Sequence, residues 1–168
     1  MKILGIDPGY DRLGVAIIEK TGQKYEYIFS DCLQTDRELP FPKRLRQIFI
    51  ALKDILEEHK PQMVAIEDIF MTTNQKTAIK VAEARGVCLA LCEYMNVEVY
   101  EYTPLQIKNA LTGYGKATKD QVHYMVQRLI KIPEPTAEDK KNKKKVLDDE
   151  IDALAIALSH GAYYRQIK

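Results

Sequence analysis

Acidic residues stand at the ends of three separate apolar segments of this 168-residue chain. Asp7 ends one short apolar segment and Glu67 ends another, while Asp149 and Asp152 begin a third. The last two are three residues apart, so on a helix both carboxylates occupy one face of the first turn. If the three segments meet at one edge of a sheet, four carboxylates converge, and their mutual repulsion then requires a cation.

Carboxylates offer only oxygen ligands, which select Mg²⁺ or Mn²⁺ rather than zinc. Two such ions flank the scissile phosphate in two-metal hydrolysis of phosphodiesters, where one activates water and the other stabilises the leaving oxygen. The pattern therefore predicts a hydrolytic site for phosphodiesters. We expect two Mg²⁺ ions as its cofactor, with Mn²⁺ as a substitute.

Each of these acids also has a purely structural interpretation. Asp7 precedes Pro-Gly and fits a tight turn, and Glu67 fits the polar end of a strand. Asp149 fits a helix N-cap with Asp152 at N3, where the helix dipole favours both. The glycines around Asp7 also resemble the first phosphate loop of actin-like ATPases. An ATP-binding phosphotransferase is therefore an alternative, although the second phosphate loop that it needs is not found in the sequence.

Basic and aromatic residues near these acids are candidates for nucleic-acid contacts. Lys108, Lys116 and Lys119 surround a Gly-Tyr-Gly segment, where a DNA backbone can approach closely. Phe70 follows Glu67 in a polar loop and is a candidate for stacking on bases, with core packing as the alternative. A lysine run at 140–145 fits either a solvated loop or a phosphate-binding segment.

Composition limits the classes of function. The chain carries 25 Lys and Arg against 24 Asp and Glu, so binding to a polyanion requires a local basic patch. No apolar run approaches the length of a membrane span, and no signal-peptide core is present, so we expect a protein with no membrane partner. The three cysteines lack metal-ligand spacing, which indicates reduced thiols and a cytoplasmic location.

The spacing of apolar residues predicts the elements that position these groups. Three strands near 3–7, 13–19 and 25–30 form a meander, followed by a helix, a strand at 63–66, a helix at 74–94 and a strand at 97–102. Further helices are expected after 103, at 118–130 and at 149–164. This order predicts an α/β domain over residues 1–168, with a mixed five-stranded sheet and helices on both faces. The RNase H-like fold has the same order of elements.

Several collinear segments together resemble one known family, the RuvC Holliday-junction resolvases. The matching segments are Ile3-Leu4-Gly5-Ile6-Asp7-Pro8-Gly9, Val64-Ala65-Ile66-Glu67-Asp68-Ile69-Phe70-Met71, Glu83-Ala84-Arg85-Gly86-Val87, Val99-Tyr100-Glu101-Tyr102 and Asp149-x-x-Asp152-Ala153-Leu154-Ala155-Ile156-Ala157. Each segment alone is a weak signal, but their common order across nearly the whole chain is specific.

The resemblance implies a structure-selective endonuclease of RNase H-like fold that acts as a homodimer on four-way DNA junctions. It implies symmetrical cuts in two opposing strands, during recombination and repair, and cooperation with the branch-migration proteins RuvA and RuvB. The four acids correspond to the family's Mg²⁺ ligands. Phe70 corresponds to its base-contacting aromatic residue, and Lys108 and Lys119 to lysines near the scissile phosphate.

One segment departs from the family pattern. The loop at 133–147 is longer and richer in lysine than is usual, so Asp148 or Glu150 is an alternative to Asp149 as a ligand. The spacing to Ala153 favours Asp149. Two further alternatives are a catalytically silent junction-binding module and a nuclease for RNA or RNA–DNA hybrids, which the same fold permits.

Overall fold

Five strands form one mixed sheet in a computed structural model that describes residues 1–69, 75–134 and 148–164. The strands are β1 (Lys2–Asp7), β2 (Arg12–Thr21), β3 (Lys24–Gln34), β4 (Met63–Glu67) and β5 (Glu98–Tyr102). Their order in the sheet is β3-β2-β1-β4-β5. The first three strands pair antiparallel as a meander, and β1, β4 and β5 run parallel. The predicted mixed sheet is confirmed.

Five helices in the described ranges connect or cover these strands. They are α1 (Phe41–His59), α2 (Gln75–Tyr94), α3 (Pro104–Thr112), α4 (Lys119–Leu129) and α5 (Asp148–Tyr163). Capping boxes begin α3 at Thr103 and α4 at Thr118, where each threonine accepts a hydrogen bond from the backbone of a glutamine three residues later. In the part of the chain that the structure describes, no helix is both long and apolar enough to cross a membrane.

The helices cover both faces of the sheet, as the sequence predicts. Side chains alternate between the faces along each strand. On β1, Leu4 and Ile6 pack against α1 and α2, whereas Ile3 belongs to the core beneath α3, α4 and α5. All three side chains are fully buried. Two apolar layers therefore hold the central strands rigidly, and the acidic residues lie at the end of this rigid region.

Two glycines let α5 lie directly on the sheet. A Cβ atom at Gly5 would overlap the carbonyl oxygen of Ala153, and a Cβ atom at Gly14 would overlap the carbonyl oxygen of Asp149. Gly14 is paired with Asp7 across β1 and β2. The first turn of α5 is thus brought next to the strand end that carries Asp7.

The third strand is longer than the sequence predicts. We expect it to end near Ser30, but β3 continues to Gln34 because its pairing with β2 extends to Arg12. The cause is a cross-strand ladder in which Leu33 lies opposite Leu13, a partner that is distant in the sequence. The other strands and the helices begin and end within a few residues of their expected positions.

Candidate active site

The carboxyl ends of two parallel strands place Asp7 and Glu67 at one edge of the sheet. In the parallel pairing of β1 with β4, Ile6 lies opposite Ile66, so the next residue on each strand is one of these acids. Open α/β sheets form their ligand sites at this edge, where parallel strands end. The expected convergence of the first two acids is confirmed by this register.

The first turn of α5 distinguishes the four acidic residues that it carries. Glu150 is buried on the β3 side, where its Oε2 accepts a hydrogen bond of 2.6 Å from Ser30 Oγ. The side chain of Asp148 is 73% exposed. Asp149 and Asp152 lie close enough to Asp7 that their negative charges raise its pKa. The geometry therefore favours Asp149 over the two alternatives.

A cleft of about 260 Å³ collects five of the predicted site residues. Its polar lining consists of Asp7, Glu67, Asp152, Lys108 and Lys119. Apolar side chains from α3, α4 and α5 form the remaining walls. Two strands and three helices therefore contribute to one site.

The other predicted residues lie elsewhere. Asp149 lines an adjoining cleft of about 500 Å³ rather than the cleft that contains Asp7. Lys116 is exposed in the turn between α3 and α4 and does not belong to the described lining of either cleft. Phe70 and the lysine run at 140–145 lie outside the described residues. Their roles stay predictions.

Burial and mutual repulsion destabilise the charged forms of the strand-end acids. Burial, followed by the charges of Asp152 and Asp149, raises the pKa of Asp7 to about 7. Burial, followed by the charges of Asp7 and Asp152, raises the pKa of Glu67 to about 7. Both shifts have the sign expected where carboxylates share a partly desolvated site.

Basic side chains contact Asp149 and Asp152 on α5. Lys119 Nζ donates a hydrogen bond of 2.7 Å to Asp152 Oδ2, and His123 Nε2 donates one of 2.8 Å to Asp152 Oδ1. Arg12 Nε lies 3.4 Å from Asp149 Oδ2. That oxygen is buried and accepts no hydrogen bond from the described residues.

The donor set fits a hard divalent cation, although the ligands are not gathered around one point. No three acidic, histidine or cysteine side chains among residues 1–69, 75–134 and 148–164 form a group close enough to hold an ion. The site nevertheless offers several carboxylate oxygens, the pKa values of Asp7 and Glu67 are raised, and the buried Asp149 Oδ2 accepts no hydrogen bond from the described residues. A cation is the group that relieves all of these costs.

His123 is a site residue that the sequence does not single out. Its side chain is mostly buried. Its ring is hydrogen-bonded to Asp152 Oδ1, whereas Lys119 is bonded to Asp152 Oδ2. Lys119 and His123 are four residues apart on α4, so they share one face of that helix. This spacing is the available signal, but it becomes informative only when α4 is known to pack beside α5.

Comparisons with known proteins agree with this geometry. The family model of the crossover junction endodeoxyribonuclease RuvC matches residues 3–160. The RuvC proteins of Petrotoga mobilis and Thermosipho melanesiensis are 42% and 45% identical to this chain. The first alignment covers 100% of this chain and 98% of the relative, and the second covers 94% of each.

A solved structure described as T. thermophilus RuvC in complex with Holliday junction substrate has a TM-score of 0.87 at 32% identity. It covers 99% of this chain and 96% of that chain. The match confirms the RNase H-like fold expected from the order of elements. The chain therefore belongs to the RuvC family of crossover junction endodeoxyribonucleases.

Proposed function

We propose that this protein is a Mg²⁺-dependent endonuclease that resolves four-way DNA junctions by hydrolysing one phosphodiester bond in each of two opposing strands. Family membership supports the reaction class, and RuvC nucleases depend on divalent metals. The observation that carries the proposal is the cleft that brings Asp7, Glu67 and Asp152 together with Lys108 and Lys119. Carboxylates for metal and ammonium groups for phosphate are what such a hydrolysis needs.

The four acids divide between two cation sites. Asp7, Asp149 and Asp152 would hold one ion, while Asp7 and Glu67 would hold the second. When bound, Mg²⁺ supplies an activated water nucleophile and charge stabilisation at the departing 3′ oxygen. The partial burial of Asp7 and Glu67 limits the competition of bulk water for these charges.

The lysines position the DNA. Lys119 now pairs with Asp152, and we propose that it turns to the scissile phosphate when a cation replaces it at that carboxylate. Lys108 lines the same cleft and binds the same phosphate group from α3. Lys116 contacts the backbone from the exposed turn, and Phe70 contacts bases at the junction. Each of these contacts is a part of the proposal.

Symmetrical resolution requires two sites that reach opposing strands. We therefore propose a homodimer, with RuvA and RuvB as branch-migration partners, as the family resemblance implies. Three free cysteines are buried, which supports a reducing location in the cytoplasm. The ATP-binding phosphotransferase is disfavoured because the family match over residues 3–160 includes parts of all five strands and of all five described helices.

The test is an end-labelled four-way junction compared with a linear duplex of the same sequence, with Mg²⁺ or with EDTA. We expect paired nicks at the junction with Mg²⁺ and none with EDTA or on the duplex. Binding to the junction without nicks in Mg²⁺ or Mn²⁺ would indicate the catalytically silent module instead. Cleavage of RNA–DNA hybrids in preference to junctions would indicate the other nuclease class.

A further inference from the structure

A second cleft adjoins the proposed active site on the Asp149 side. It has a volume of about 500 Å³, and its charged lining consists of Arg12 and Arg37 with the carboxylates of Asp11 and Asp149. This lining comes from the loop between β1 and β2, the end of β3, the segment between β3 and α1, and α2. The proposed hydrolysis uses only Asp149 among these residues.

The positive charge of Arg37 is only partly neutralised, because Arg37 shares its carboxylate partner with a second arginine. Its Nη2 lies 3.3 Å from Asp11 Oδ2, but the other oxygen of Asp11 is held by the buried guanidinium of Arg44. Arg44 also donates hydrogen bonds to Thr35 Oγ1 at 2.8 Å and to the Tyr10 carbonyl at 3.0 Å. One carboxylate thus forms ion pairs with two guanidinium groups. Of these two, the Arg37 side chain is exposed to solvent, at 73%.

Arg12 depends on a carboxylate that the proposed mechanism assigns to metal. Its Nε lies 3.4 Å from Asp149 Oδ2, and its side chain is 52% exposed. A cation bound by Asp149 neutralises that carboxylate and leaves Arg12 without its counter-charge. Lys80 adds a third positive charge nearby, since its Nζ lies 5.4 Å from the centre of the Tyr10 ring. Once a cation neutralises Asp149, the positive charges of Arg12 and Arg37 outnumber the one remaining carboxylate of the cleft, that of Asp11.

An endonuclease cuts within a strand, so the strand continues on both sides of the scissile phosphate. Lys108 and Lys119 line the cleft with Asp7, whereas Arg12 and Arg37 line the adjoining cleft beyond it. Guanidinium groups bind phosphate oxygens through paired hydrogen bonds, which suits them to hold a backbone in register.

We propose that Arg12 and Arg37 form a phosphate-binding subsite for the cleaved strand, beyond the scissile phosphate on the Asp149 side. This subsite rests on the proposed nuclease function and extends it. The strand is then held at two points, with the carboxylate cluster between them. Such two-point binding fixes the scissile bond against the metal site, which raises the rate through orientation.

The test compares two doubly substituted proteins that have lost the same charge. One is Arg12→Gln/Arg37→Gln, and the matched control is Arg46→Gln/Arg128→Gln, which removes two exposed arginines from α1 and α4. Binding to a four-way junction is measured in Ca²⁺ at 50–200 mM salt (about the range over which counterion release is resolved). We expect the slope of log K against log salt to be shallower by about 1–2 in the first protein and nearly unchanged in the control.

A second measurement uses the wild-type protein and therefore does not depend on the folding of a variant. Single neutral methylphosphonates replace the phosphates on each side of the cleavage position. We expect a loss of affinity of about threefold to tenfold at one or two positions on one side, and no further loss there in Arg12→Gln/Arg37→Gln. Equal salt slopes in the two variants, or methylphosphonate effects that persist in full without the arginines, would overturn the subsite. Wild-type nicking in Mg²⁺, measured in parallel, tests the proposed function separately.

Discussion

At the scale of single residues, the ionised carboxylates of the site destabilise the folded protein. Asp7 and Glu67 are half-buried beside other carboxylates, and the loss of solvation together with the neighbouring charges raises their pKa values to about 7. The folded protein therefore binds protons that the unfolded chain releases between about pH 4 and pH 7. Because native proton uptake exceeds that of the unfolded state in this window, metal-free stability falls as the pH rises through it.

Asp7→Asn should remove much of this dependence. We expect wild-type protein in EDTA to lose about 1–3 kcal/mol of unfolding free energy between pH 5 and pH 8, and the variant to lose less. The variant should also be the more stable of the two at pH 8. Thermal and urea unfolding at both pH values measure this effect. An equal loss of unfolding free energy in both proteins would show that Asp7 does not cause the pH dependence.

His123 is expected to act as a positioning residue for Asp152. His123→Ala leaves Asp152 Oδ1 without its hydrogen bond, so we expect Mg²⁺ affinity to fall by about tenfold. His123→Gln keeps an N–H donor and should recover part of the loss. The increase in unfolding temperature on Mg²⁺ addition reports affinity independently of cleavage. Equal Mg²⁺ affinity in wild type and His123→Ala would reduce His123 to a packing role.

At the scale of elements, the active site depends on how closely α5 approaches the sheet. Gly14→Ala inserts a methyl group against the carbonyl oxygen of Asp149, so either the helix or β2 must shift. We expect a loss of about 1–3 kcal/mol in stability and a larger loss in cleavage rate, because Asp149 moves away from Asp7. Unfolding and single-turnover cleavage measure the two effects.

The matched control is Gly86→Ala on α2, where an added Cβ meets nothing within 4 Å. This variant should keep or slightly raise stability, since alanine favours helix over glycine. If both substitutions affect cleavage equally, close contact between α5 and β2 does not position the site.

The elements were largely predictable because the central strands are short continuous apolar runs, while the helices repeat apolar residues with a period of 3.6. These segments also place Asp7, Glu67 and the acids of α5 at element ends. The partners of these acids were not predictable, since His123 and Lys119 reach Asp152 only through the packing of α4 beside α5. The extension of β3 depends in the same way on a distant strand.

At the scale of the whole molecule, near-neutral net charge conceals local separation of charge. Acids concentrate at the strand ends, while lysines and arginines lie around them on two sides. The separation of charge explains how a chain of formal charge +1 can bind a polyanion.

Symmetrical cleavage predicts a dimer in solution. Light scattering at micromolar concentration should give about twice the chain mass of 19.3 kDa. A monomer that nevertheless makes paired cuts would remove the homodimer from the proposal and require another way to reach both strands.

The catalytic role of the acidic residues is tested by comparing wild type with Asp7→Asn. Cleavage of a four-way junction in Mg²⁺ and binding to that junction are measured on the same samples. We predict paired nicks by the wild type and none by the variant, whose affinity for the junction is equal or higher because a negative charge near phosphate is lost. Cleavage by Asp7→Asn at the wild-type rate would contradict the carboxylate metal site.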